Sequence, residues 1–132
     1  FISLTLFIAA VISCTAQNGA NKPQGPAMPL KEASTAFDLE HVGPFLDRVG
    51  TMVDSGFGPK ERDSVSQMVS EMKVEEERTR EFTIQYHGQP TLLRIHVFMD
   101  DIESPDVSFV TTPELADQIQ HNMVEFLDAR GL

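Results

Sequence analysis

Residues 81–99 read EFTIQYHGQPTLLRIHVFM, and this stretch decides the fold. Phe82, Ile84 and Tyr86 alternate with polar residues, the period of a half-buried strand. Past a break at His87-Gly88-Gln89-Pro90, Leu93, Ile95, Val97 and Met99 share one parity, so two antiparallel strands are expected. A four-residue loop at the break pairs Tyr86 with Thr91, Ile84 with Leu93 and Phe82 with Ile95. That register keeps both apolar rows on one side, whereas a slip of one residue sets Ile84 against Arg94. Pro90 has no N–H for a ladder, which favours this loop over a two-residue turn. The same register places Glu81 opposite His96, with Val110 beyond. A third strand, Val107 to Thr111, continues the meander with Val107 facing Met99 and Phe109 facing Val97.

Helical spacing flanks this meander. Thr35 followed by Asp38 resembles a capping box with a shortened acid. Phe37, Val42, Phe45, Leu46, Val49, Met52 and Val53 then recur at helical intervals. Gly43-Pro44 predicts a kink or two short helices, and Ser55-Gly56-Phe57-Gly58-Pro59 a stop. A second helix is expected over Lys60–Met72, with Val65, Met68, Val69 and Met72 on one face. The charged run Lys73–Glu81, KVEEERTRE, reads as a solvated lead-in or an extension of the edge strand. Thr112-Pro113-Glu114 (cap, first-turn Pro, first-turn acid) opens a last helix. Its buried stripe is Leu115, Ile119, Met123, Phe126 and Leu127, with Gly131 just past its end. The expected fold is a small single α+β domain over residues 31–132, ordered α-α-β-β-β-α, with helices on one face of an antiparallel three-stranded meander.

The chain has 132 residues, with 10 basic against 20 acidic ones and a net charge of -10. That balance argues against nucleic acid, whose phosphates need Lys and Arg, and points to a basic partner. One cysteine is present, so an internal disulfide cannot hold the domain and packing must.

That cysteine closes an uncharged apolar run, FISLTLFIAAVISC, at residues 1–14. The run is too short to span a bilayer as a helix and has the length of a secretory signal core. With no initiating Met or basic leader, it reads as a signal entered part-way. Val11-Ile12-Ser13-Cys14 resembles the lipobox of bacterial lipoproteins. The resemblance covers residues 1–14 only. It implies that residues 1–13 are removed and that Cys14 carries the lipid. Thr15–Pro29, rich in Gly, Pro, Asn and Gln with no periodic apolar face, reads as a flexible tether, so residues 14–30 are the lipidated Cys and its tether. More than one acyl chain is needed for stable attachment. In that family an Asp after the cysteine often retains the protein at the inner membrane; here Thr15 follows, which implies a periplasmic, outer-membrane location. The alternatives are an ordinary signal cut after Ala16 and a core helix with a buried thiol.

Chemistry is sparse. His41, His87, His96 and His121 have no ligand spacing for a metal. No nucleophile elbow or phosphate loop appears. Asp100, Asp101, Glu103 and Asp106 crowd one turn but lack the alternation and central glycine of a calcium loop. The reading therefore assigns no catalytic residue, no metal and no cofactor, and takes the protein as not an enzyme.

Charge is more informative. No Lys or Arg lies between Ile95 and Ala129, while Asp100, Asp101, Glu103, Asp106, Glu114, Asp117, Glu125 and Asp128 all do. Such a one-sign surface is a docking face for a basic protein, or else a solubilising one. Leu92, Phe98 and Val110 on the outward sheet face, among Thr83, Arg94 and His96, form a second candidate with apolar anchors and a polar rim. Burial under the tether, under a fourth strand or against a second copy would also explain them. The leading reading is a non-catalytic, protein-binding lipoprotein, most concretely an immunity or inhibitor protein against a basic effector or hydrolase of the periplasm. A structural subunit of an envelope assembly or secretion machine is the first alternative. An enzyme or small-ligand carrier is the second, and a carrier needs an apolar cavity of roughly 300 Å³ or more.

Overall fold

A computed structural model describes residues 29–130. The elements run β1 (Lys31–Ala36), α1 (Leu39–Gly50), α2 (Pro59–Glu71), β2 (Glu77–Tyr86), β3 (Gln89–Phe98), β4 (Asp106–Thr111) and α3 (Pro113–Ala129). The protein is an α+β domain, with its helices on one face of an antiparallel sheet of strand order β1-β4-β3-β2. The expected meander β2-β3-β4 is present, and β1 adds a fourth strand beside β4.

β1 falls where the cap of the first helix was expected. In KEASTA only Ala33 is buried, so no apolar alternation marks it; pairing with β4, from Lys31–Thr111 to Ala36–Asp106, makes it a strand. Thr35 is therefore a strand residue, and Asp38 is the N-cap of α1, without a side-chain capping bond. α1 is one helix with Pro44 inside it, not two. α2 begins with Glu61 reaching back to accept the Gly58 N–H at 2.8 Å, which relieves one orphan donor of the first turn.

The hairpin keeps the predicted parity and changes its register by two residues. Tyr86 pairs with Gln89, Ile84 with Thr91 and Phe82 with Leu93, because the connection is a two-residue turn. His87 at φ 52° and Gly88 at φ 75° occupy the left-handed region that such a turn requires. Pro90 loses nothing there. It faces Gln85 in a pair whose backbone groups turn away from each other, and β4 does not reach it. The shift carries through to β4: Val107 faces Val97 and Phe109 faces Ile95.

The inward row of the sheet (Ala33, Ile84, Leu93, Ile95, Val97, Val107 and Phe109) is fully or almost fully buried. It packs under Phe45, Leu46 and Val49 of α1, Val65 and Met68 of α2, and Leu115, Ile119, Met123 and Phe126 of α3. Ion pairs tie neighbouring elements at the rim: Lys31 to Asp117, Arg48 to Glu125, Arg62 to Asp47, and Arg78 to Glu71. No described helix is long and apolar enough to cross a membrane.

Candidate functional site

The β3–β4 connection holds the first acidic cluster, and the fold fixes it by its backbone. Asp101 accepts the Glu103 N–H with its carboxylate at 2.9 Å and the Ser104 N–H with its carbonyl, a local turn that leaves Asp100, Asp101 and Glu103 exposed. The carbonyl of Glu103 then accepts the Leu39 N–H at 2.9 Å, and that of Pro105 the Phe37 N–H at 3.0 Å. This strap to the β1–α1 junction brings Asp38, Leu39 and Glu40 beside Glu103, around an open depression of about 440 Å³. Leu39, 42% exposed, lines it with these acids, and Ile102, 55% exposed, adjoins Glu103 in the chain.

Phe98 belongs to the same end. Across the sheet, Ala36, Asp106, Phe98 and Glu77 form one row, and Phe98 is half-buried between two acids. Leu92 lies six residues along β3, about 20 Å away, so the two apolar candidates of the outward face are not one patch. Between them run two further rows, Glu32-Val110-Arg94-Glu81 and Ser34-Ser108-His96-Thr79. Glu81 therefore meets Arg94, at 2.6 Å, and not His96 as the four-residue loop implied. His96 instead contacts the Thr79 hydroxyl at 2.9 Å and Glu77 at 3.2 Å.

The acids of α3 are placed differently from expectation. Asp117 pairs with Lys31 at 2.6 Å, and Glu125 with Arg48 at 2.9 Å and with His121 at 3.1 Å. The run without Lys or Arg is thus a property of the chain order; β1 and α1 supply cations to α3 from outside it. Asp128 is exposed on the last turn. That end of α3 reaches the acidic end of the molecule, since Phe126 packs on Phe37 and His41 with ring centroids 6.1 and 6.0 Å apart. The uninterrupted negative surface narrows to Asp38, Glu40, Asp100, Asp101 and Glu103, with Phe98 and Asp106 at its margin.

Two features were not foreseen. Asp38, Leu39 and Glu40 join the acidic end through the strap just described, and no sequence signal announces a contact between residues 37–39 and 103–105. At the opposite end, the Tyr86 hydroxyl donates to Gln118 at 2.8 Å and lies 3.3 Å from Glu114, which also meets His87 at 2.9 Å. These groups line a depression of about 220 Å³. Burial first, then the charges of Glu114 and Asp54, push the Tyr86 phenol above its ordinary value. Among the described residues that line the depression there is no Ser, Cys or Lys.

Among the described residues, no three His, Cys, Asp or Glu side chains converge on a position that could hold a metal. The depression beside Tyr86 measures about 220 Å³, and one beside Val42 and Val69 about 210 Å³. Others, of about 380, 400 and 440 Å³, are lined largely by charged side chains. Cys14, the lipidation candidate, lies outside the described residues. Comparison of the chain with protein-family models, curated proteins and solved structures returns no match.

Proposed function

We propose that the protein is a lipid-anchored bacterial envelope protein, attached through Cys14, whose domain binds a basic protein with its acidic end. The most concrete form is an immunity or inhibitor lipoprotein that blocks a basic effector or hydrolase in the periplasm. One observation carries the binding role: exposed Leu39 and Ile102 stand among Asp38, Glu40, Asp100, Asp101 and Glu103. Among the described residues, none of these acids has a Lys or Arg within 4 Å; Asp38 lies 3.8 Å from the His41 ring. A one-sign field speeds encounter and rejects wrong partners, while desolvated apolar anchors supply the hold. The Cys14 anchor rests on the lipobox-like residues 11–14.

Capture from envelope extracts with the full chain is the direct test, and a basic secreted hydrolase or effector is the expected catch. A component of an assembly machine in its place would favour the structural-subunit reading. Against the captured protein, the triple reversal Asp100→Lys, Asp101→Lys, Glu103→Lys should slow association about tenfold or more and flatten its salt dependence. Reversal of Asp117 and Glu125, already engaged by Lys31 and Arg48, should change the rate much less. An unchanged rate in the triple variant removes the acidic end from the reading. Labelling cells with a fatty-acid probe should mark the wild type and leave Cys14→Ser unmarked.

A further inference from the structure

The edge strand β2 offers a second surface, independent of the acidic end. In an antiparallel ladder, successive residues turn their backbone groups alternately toward the neighbouring strand and away from it. Gln85 shows where the odd residues of β2 point: its N–H donates to Ser55 at 2.9 Å and its C=O accepts from Asp54 at 2.8 Å, on the side away from β3. By the same alternation, Glu77, Thr79, Glu81 and Thr83 turn N–H and C=O to that side. None of the four has a backbone partner there among the described residues. The chain thus begins to add a strand to this edge with the Ser55–Gln85 bridge. Pairing stops there because Gly56, at φ 95°, breaks the strand while lying against Ile84 and the Thr83 carbonyl, so the open edge runs from Glu77 to Glu81.

Beside the open stretch lies a groove of about 380 Å³ between β2 and α2. Lys60, Asp63, Ser64, Gln67 and Glu71 wall it from one face of the helix, Arg80 walls it from the strand, and buried Met68 borders it. The two acids are already engaged, Asp63 by Arg62 and Glu71 by Arg78. Charged residues on an edge usually guard against unwanted pairing. That accounts for Glu77, Arg78 and Glu81, each held in an ion pair inside the fold, with His96, Glu76 and Arg94 respectively. It does not account for Arg80 and Lys60. In a chain with twice as many acidic as basic residues, neither makes an ion pair among the described residues, and both line the groove.

We propose that the β2 edge from Glu77 to Glu81 takes up an extended segment of another polypeptide by strand addition, with an acidic side chain of that segment seated in the groove against Arg80 and Lys60. Main-chain bonds supply the affinity, and the alternate side chains that fall into the groove supply selectivity. A second copy of the chain is a poor occupant. In the two antiparallel registers that centre the edge, either Arg80 faces Arg80 or Glu77 faces Glu81, and like charges opposite one another repel.

The full chain, labelled with nitrogen-15, can be titrated with two synthetic peptides, TVTDTVT and TVTKTVT, end-blocked and extended in solution. The aspartate peptide should shift the amide signals of Glu77, Thr79 and Glu81, slow their hydrogen exchange, and bind about tenfold or more tightly than the lysine peptide. Arg80→Glu should reverse that ranking. Thr79→Pro removes a donor that the fold itself leaves unused, so it should abolish binding while amide protection in β3 and β4 persists. Equal binding of the two peptides, an unreversed ranking in Arg80→Glu, or shifts that bypass residues 77–81 would overturn the proposal.

Discussion

Tyr86 is the single tyrosine and the chain has no tryptophan, so phenolate absorbance reports one site. Burial, Glu114 and Asp54 all disfavour the phenolate, and the absorbance midpoint should therefore lie above 10, with Glu114→Gln bringing it down. The folded pKa is raised, so its contribution to stability is whole below about pH 10 and fades as pH climbs through the folded value; denaturation midpoints measured across that range should fall, and fall less in Tyr86→Phe. Two glycines with positive φ separate strain from crowding. At Gly88 an added Cβ meets nothing within 4 Å, whereas at Gly56 it lies 2.9 Å from the Ile84 Cα and 3.1 Å from the Thr83 carbonyl oxygen. Gly88→Ala should cost about 1–2 kcal/mol of left-handed strain. Gly56→Ala should cost more, because backbone must also move, and urea denaturation of the pair measures the difference. At this scale sequence reading stopped early. Tyr86 and Glu114 are 28 residues apart, and neither alone signals that the other is near.

Elements were legible where apolar period and punctuation agreed. α2, the two hairpin strands, β4 and α3 lie within a few residues of expectation because each has a buried row that only one period explains. Register was harder. A shift of two residues keeps every side chain on its own face, so the apolar pattern cannot tell Ile84–Leu93 from Ile84–Thr91. The turn decided it: His87 adopts φ 52° beside Gly88, a conformation a His-Gly pair does not advertise as Asn-Gly would. β1 was missed because Lys31, Glu32, Ser34 and Thr35 are polar and Ala33 and Ala36 are small. α1 was expected to break at Gly43-Pro44 and does not. Pro44 is exposed on an otherwise continuous helix, where it removes a bond to the Glu40 carbonyl and crowds it. Pro44→Ala should therefore raise stability by about 1–2 kcal/mol, less whatever entropy the unfolded chain regains, read as a higher thermal midpoint.

Across the whole molecule, one aromatic cluster joins most of the layers. Phe45 of α1 lies 5.0 Å from Phe37, 5.8 Å from Phe109 of β4 and 5.2 Å from Phe126 of α3, centroid to centroid. Phe45→Ala should cost about 3–5 kcal/mol, a large share of the roughly 5–15 kcal/mol that holds a domain, and the denaturation midpoint should drop accordingly; Phe45→Leu should keep more than half of the stability. Charge was the least legible property at this scale. Counting along the chain gave one negative surface, yet Lys31 and Arg48 reach α3 from its far neighbours in sequence. What survives is the cluster whose members the strap at Glu103 and Pro105 gathers. The position of β1 has a mechanical corollary. Tension arriving from the residues before Lys31 enters the protein at one rim of the sheet, and the Lys31–Asp117 contact is the first to feel it. Drawn along the strand, the six paired residues of β1 bear the load together; drawn sideways, they give way one after another. A domain tugged from that side is tough in one direction and peels open in the other.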